Sequence, residues 1–223
     1  FPLLSSGKNG KMLLEEIKSL KLKSIEDKKK ELPSHILEMG LNMLYKEPID
    51  LKKIFSKDFC EIIEIKNFDQ DKTYNIAETA SALIINSDDV FLYGSLENIS
   101  FAKENFNLPV IARDYFLEEY QIYLIRIYQA DGIIIEPAFI DDQTLEKISL
   151  LSLAMGIEPI YEIRTKSDID RLKKFDFANM FIFENENLVT NIKKTEFNIF
   201  YDTTINKEKL TERGAKIFIR VLI

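Results

Sequence analysis

"CEIIEIKNFDQDK", residues 60–72, opens with an apolar run, and the way this run repeats along the chain decides the fold. Near-continuous apolarity over a short stretch, rather than strict alternation, marks a strand buried on both faces. Glu64 and Lys66 interrupt the pattern. Side chains two apart on a strand share a face, so a carboxylate and an ammonium point the same way at the end of the run. Desolvating them costs free energy, and their placement calls for a chemical reason.

The pattern recurs seven more times: "SALIIN" (81–86), "PVIARD" (109–114), "GIIIEP" (132–137), "PIYEIR" (159–164), "NMFIFE" (179–184), "FNIFYD" (197–202) and "KIFIRVLI" (216–223). Amphipathic segments lie between them, most clearly "EEYQIYLIRIYQA" (118–130), "DDQTLEKISLLSLAMG" (141–156) and "SDIDRLKKF" (167–175). The last two open with acidic or hydroxyl caps, and Gly156 closes one of them. Strand then helix, repeated, implies a parallel sheet, and eight such strands close most naturally into a (β/α)8 TIM barrel.

The expected organisation is one barrel domain over residues 12–223, led by helices in 12–57, with "FPLLSSGKNGK" (1–11) outside it and Met12 as the natural start. The spacers "NFDQDKTYNIAETA" (67–80) and "NENLVTNIKKTE" (185–196) have room for short helices only, and no helix follows the eighth strand. Some outer helices are thus expected to be shortened or missing. Apolar positions such as Ile63, Ile65, Ile217 and Ile219 then risk exposure, and an exposed apolar face predicts a homodimer or a partner chain.

The balance of 46% hydrophobic and 30% charged residues is that of a globular chain, not a disordered one. A net charge of −7 gives no support for nucleic-acid binding. The basic run Lys28–Lys30 is flanked by Glu26, Asp27 and Glu31 and reads as a solvated helix face. A lone cysteine, Cys60, excludes a disulfide framework, and a lone histidine, His35, leaves a zinc site without ligands, so no metal is expected. No apolar run approaches the roughly 20 residues that span a bilayer. Residues 1–11 lack a signal peptide's order of basic then apolar residues, which points to a reducing, cytoplasmic setting.

Barrel active sites lie at the carboxyl ends of the strands. Glu64, Lys66, Asp88, Arg113, Asp114, Glu136, Glu162, Glu184 and Asp202 all fall at or just past such ends. A ring of carboxylates with a lysine and an arginine suits proton transfer. Neighbouring carboxylates raise each other's pKa, so one of them is held protonated unless Lys66 or Arg113 compensates. The plainer reading is that charges mark where strands meet water, or form a structural ion-pair network.

The residues resemble a known family, the indole-3-glycerol-phosphate synthases of tryptophan biosynthesis. The segment 92–140 is similar to that family's Gly-Ser loop, third strand, "K-D-F" motif, following helix and fourth strand. "GIEPIYEIRTKSDID" (156–170) resembles its "G-x-E-x-L-V-E-V-H" strand, and "IIEIK" (62–66) its "I-A-E-I-K" strand. The resemblance implies a lyase that closes an indole ring from a carboxyphenylamino deoxyribulose phosphate, losing carbon dioxide and then water, without a cofactor. It implies catalytic roles for Glu64, Lys66 and Glu162. The family's second lysine corresponds to Arg113, which stays protonated and can neutralise an oxyanion but is a poor proton donor.

Further positions depart from the family. Its Asn corresponds to Glu184 and its Arg to Glu186. Its "E-S-G-I" becomes "DTTI", which puts Asp202 and Thr203 in place of Glu and Ser as substrate-binding residues, with Thr204 for the glycine. The "A-S-P-S" loop becomes "NFDQD", bringing Asp69 and Asp71 to a site that elsewhere takes phosphate. Backbone N–H groups of glycine-rich loops usually hold a phosphate, so a strongly altered phosphate site is expected. Three functions stay open: a synthase-type lyase on a small molecule, a catalytically degenerate barrel serving as a binding or structural protein, and a lyase or isomerase on a different substrate.

Overall fold

The computed structural model describes residues 8–44, 46–69, 73–74, 79–185, 188, 197–202, 211 and 215–222, with side chains from residue 13 onward. Eight strands follow one another: β1 (Cys60–Ile65), β2 (Ala82–Asn86), β3 (Val110–Arg113), β4 (Gly132–Ile135), β5 (Glu158–Ile163), β6 (Met180–Phe183), β7 (Phe197–Tyr201) and β8 (Ile217–Leu222). Each pairs in parallel with the next, and β8 returns to β1 through Cys60 opposite Ile217 and Ile65 opposite Leu222. The sheet is therefore a closed (β/α)8 barrel, a TIM barrel, as the repeated runs imply.

Seven α-helices have described bounds: α1 (Lys8–Glu31), α2 (Ser34–Asn42), α3 (Leu51–Phe55), α4 (Leu96–Asn105), α5 (Glu119–Ile127), α6 (Asp142–Ala154) and α7 (Lys166–Leu172). The first three precede the barrel, and α1 begins at Lys8, ahead of Met12. The sequence marks several of the helix ends. Asp50, Ser95, Asp141 and Thr165 cap α3, α4, α6 and α7 by accepting from backbone N–H groups. Gly156, at φ +75°, takes the left-handed turn that ends α6. Among the described residues no helix is long and apolar enough to cross a membrane.

Alternation along the strands separates two apolar layers. Ile63, Ile65, Leu83, Ile85, Ile133 and Ile163 face outward into a cluster shared with the helices. Ile62, Ile84, Ile111, Ile134, Ile160, Ile182, Ile199, Ile217 and Ile219 face inward, where Leu51 and Phe55 of α3 join them. The expectation that Ile63, Ile65, Ile217 and Ile219 risk exposure is overturned, since all four are buried. Ile217 and Ile219 point into the barrel, where no outer helix is needed, and Ile63 and Ile65 lie in the shared outer cluster. The apolar face that would have called for a homodimer or partner chain is absent at these positions. The spacers around residues 70–78 and 189–196, read as short of helix, fall largely outside the described residues.

Candidate active site

Above the inward isoleucines the same strands carry charge. Inward parity continues from Ile62 to Glu64, from Ile111 to Arg113, from Ile160 to Glu162 and from Ile199 to Tyr201. Arg113 is the hub. Its Nη1 donates to Glu162 Oε2 at 3.1 Å, and its Nη2 donates to the Tyr201 hydroxyl. Its Nε lies 2.9 Å from Glu64 Oε1 without aiming the N–H at it, so that contact is Coulombic rather than a hydrogen bond. Tyr201 in turn donates to Glu162 Oε1 at 3.3 Å.

A second arginine extends the cluster. Arg164 Nη2 lies 3.2 Å from Glu136, 3.4 Å from Glu162 and 3.8 Å from Glu184. Burial raises the carboxyl of Glu162, but Arg113 and Arg164 outweigh it and hold the group down at about 2. Glu136 goes the other way: burial and the charge of Glu162 push it up to about 7 against Arg164 and Arg113. One carboxylate thus stays ionised while its neighbour is poised near neutrality, the division of labour that acid–base sites use. Burial also raises the hydroxyl of Tyr201 well above its ordinary value, so it stays a neutral donor.

Beside this cluster, α1 crosses the carboxyl edge next to β2 and β3. Lys21 is buried between Asp88 and Asp114, with its Nζ 2.6 Å and 2.5 Å from their oxygens. Asp88 also accepts from the backbone N–H groups of Phe91 and Leu92, tying the loop after β2. Burial pushes Asp114 up to about 6, opposed by Lys21 and aided by Asp88.

The structure brings Glu64, Arg113 and Glu162 together. Lys66 is set apart: it lies one residue past β1, its side chain is exposed, and it makes no ion pair among the described residues. Its backbone N–H donates to Leu222 and its carbonyl accepts from Asn86, which fixes the chain at the rim. Glu184 sits at the edge of the cluster, and Asp202 lies half-buried in the turn after β7. Thr203, Thr204, Glu186 and Asp71 lie outside the described residues.

Sequence reading missed Arg164, Tyr201 and Lys21 as parts of this region. Arg164 was legible by parity, two residues beyond Glu162, and Tyr201 likewise from Ile199. Lys21 had a signal too: it lies one helical turn from both Ile17 and Ile25, a lysine inside a buried stripe.

A closed parallel barrel with ionisable side chains gathered on its carboxyl edge defines the class of (β/α)8-barrel proteins whose sites lie at that face. Solved structures agree on the fold: 3-keto-L-gulonate-6-phosphate decarboxylase from Vibrio cholerae aligns with a TM-score of 0.58 at 11% identity, covering 74% of this chain and 88% of that one.

Sequence comparison narrows the class. The sequence model of the indole-3-glycerol phosphate synthase family matches residues 52–206. An indole-3-glycerol phosphate synthase of Crocosphaera subtropica is 27% identical over 143 residues, 62% of this chain and 47% of the relative. The tryptophan biosynthesis protein TrpCF of Buchnera aphidicola subsp. Diuraphis noxia is 30% identical over 188 residues, 79% of this chain and 41% of the relative. The chain belongs to the indole-3-glycerol phosphate synthase family, and it spans less than half the length of these two relatives.

Proposed function

We propose that the chain is a carbon–carbon lyase of the indole-3-glycerol phosphate synthase type. It closes an indole ring with loss of carbon dioxide and then water, on a small-molecule substrate, in the cytoplasm and without a cofactor. The observation that carries this reading is the buried Arg113–Glu162 pair at the mouth, with Glu64 beside it. Glu162 is the ionised carboxylate that stabilises cationic character and accepts a proton. Arg113 neutralises the oxyanion that develops when the substrate carbonyl is attacked. Glu64 orients Arg113. Lys66, exposed at the rim, meets the substrate's negative charge, while Glu184 and Asp202 line its path; Thr203 is a substrate-binding residue by the family resemblance alone. The altered loops around Asp69 and Thr203 imply a phosphate held differently from the family's usual manner.

One observation favours a second reading, that of a barrel that keeps the fold and serves as a binding or structural protein. Arg113 replaces a lysine that could give up a proton, and its guanidinium is held by Glu64, Glu162 and Tyr201. The two readings separate in equilibrium binding of the carboxyphenylamino deoxyribulose phosphate or its reduced analogue. Micromolar binding that Lys66→Ala abolishes, together with indole formation, supports the lyase. No binding at millimolar concentration by a folded chain overturns it in favour of the degenerate barrel.

A further inference from the structure

Among the described residues the cluster at the mouth holds four carboxylates and two arginines. Arg113 and Arg164 face Glu64, Glu136, Glu162 and Glu184. The donors are shared unequally. Glu162 has both arginines and the Tyr201 hydroxyl. Glu184 is 35% exposed, the least buried of the four. Among the described residues Glu136 has a single charged contact, Arg164 Nη2 at 3.2 Å, and that nitrogen is divided with Glu162 and Glu184. Its side chain is only 10% exposed.

The groups facing Glu136 are Arg113 from β3, Tyr115 just beyond it, Glu162 and Arg164 from β5, and Glu184 from β6. Burial and two like charges, opposed by the shared Arg164 nitrogen and by Arg113, shift Glu136 toward the neutral carboxylic acid. Arg113, which stands where a proton donor would be expected, stays charged and cannot serve as one.

We propose that Glu136 is the acid of this site: its carboxyl holds the exchangeable proton of the mouth and hands it to a substrate oxygen. This rests on the lyase reading given above. In the ring-closing step a π pair of the substrate's ring forms the new carbon–carbon bond to the carbonyl carbon. The carbonyl π pair takes the proton from Glu136, giving a hydroxyl, and Glu136 is left as a carboxylate beside Arg164. The bonding pair released as carbon dioxide departs returns to the ring and restores its aromaticity. A proton from water reloads Glu136 before the next turnover. Glu162, ionised while the ring closes, is the partner base. The carboxyl of Glu136, raised to about 7, and that of Glu162, lowered to about 2, agree with these roles.

The test combines an infrared pH titration of the full chain with steady-state kinetics, on wild type and Glu136→Gln. The expected spectrum shows a protonated-carboxyl band that fades as pH rises through about 7 and is missing in Glu136→Gln, separate from the Asp114 band, which fades near pH 6 and remains in both. The expected kinetics are a kcat that falls on the alkaline side in wild type. In the variant kcat drops about 10²–10⁴-fold, with KM little changed. Persistence of the first band in Glu136→Gln, or a variant that keeps the wild-type kcat and alkaline limb, overturns the proposal. If wild type forms no indole product, the lyase reading falls instead, and the infrared band alone decides whether Glu136 holds the proton.

Discussion

The lower and upper halves of the barrel interior are built from the same strands two residues apart, yet different physics holds them. Below, inward isoleucines from β1, β2, β3, β4 and β5 meet Leu51 and Phe55 of α3 in an apolar layer. Gly132 makes room for this plug, since a Cβ there would stand 2.7 Å from Leu51 Cδ1. Above, Arg113 and Arg164 organise four glutamates and a tyrosine, most of them buried. The lower layer is stabilised by burial and dispersion, which do not depend on protonation. In the upper layer each charge is tolerated only because its partner is in place. The barrel thus has a base indifferent to pH and a mouth that depends on it.

The comparison can be broken first at the hub. Arg113→Met leaves Glu64 and Glu162 buried without their common cation and should cost about 3–5 kcal/mol of stability in urea unfolding. A loss under about 1 kcal/mol would mean that the mouth is wet and its charges are screened. In the lower layer Ile160→Ala should cost about 2–4 kcal/mol, equally in acid and at neutral pH. A clear pH dependence there would erase the distinction between the halves. Gly132→Ala should cost about 1–3 kcal/mol by pushing Leu51 out of its seat, and thermal unfolding would report it.

A smaller effect has a sign that sharpens the contrast. The folded chain holds the Glu136 proton up to about pH 7, whereas the ordinary value is 4.5. The folded state therefore binds more protons than the unfolded state across that window. The stability contribution is intact below the ordinary value and is lost as pH rises toward the folded value. Glu136→Gln, which mimics the neutral acid, should match wild type in acid and exceed it by about 1 kcal/mol in mildly alkaline buffer. Equal midpoints on both sides of neutrality would remove the pH-dependent character of the mouth. Smallest of all, Lys66→Ala should change stability by no more than about 0.5 kcal/mol, because the side chain is exposed. Under the proposed function it nevertheless abolishes substrate binding.

Local pattern made the barrel legible. The apolar runs from Cys60 to Ile65 and from Gly132 to Ile135 are strands as read, and Gly156 closes α6 as read. Parity also placed Glu64 and Glu162 at the carboxyl edge. It did not extend to Lys66, which shares parity with Glu64 but stands beyond the end of β1, where the chain turns at the rim. Nor did local pattern say which face of β8 is interior. Ile217, Phe218 and Ile219 are all apolar, so alternation carries no signal there, and the register opposite Cys60 and Ile62 settles it.

The order and spacing of apolar runs, caps and turn residues determined by themselves that strands and helices alternate and that charge collects at strand ends, because period and propensity act over a few neighbours. Which charges meet was decided only when the barrel closed. Arg113 reaches Glu64, Glu162 and Tyr201 from three other strands, and Lys21 reaches Asp88 and Asp114 from α1. Coulomb energy and desolvation depend on distance through space and on excluded water. Two glutamates identical in the sequence therefore became one held ionised and one poised near neutrality.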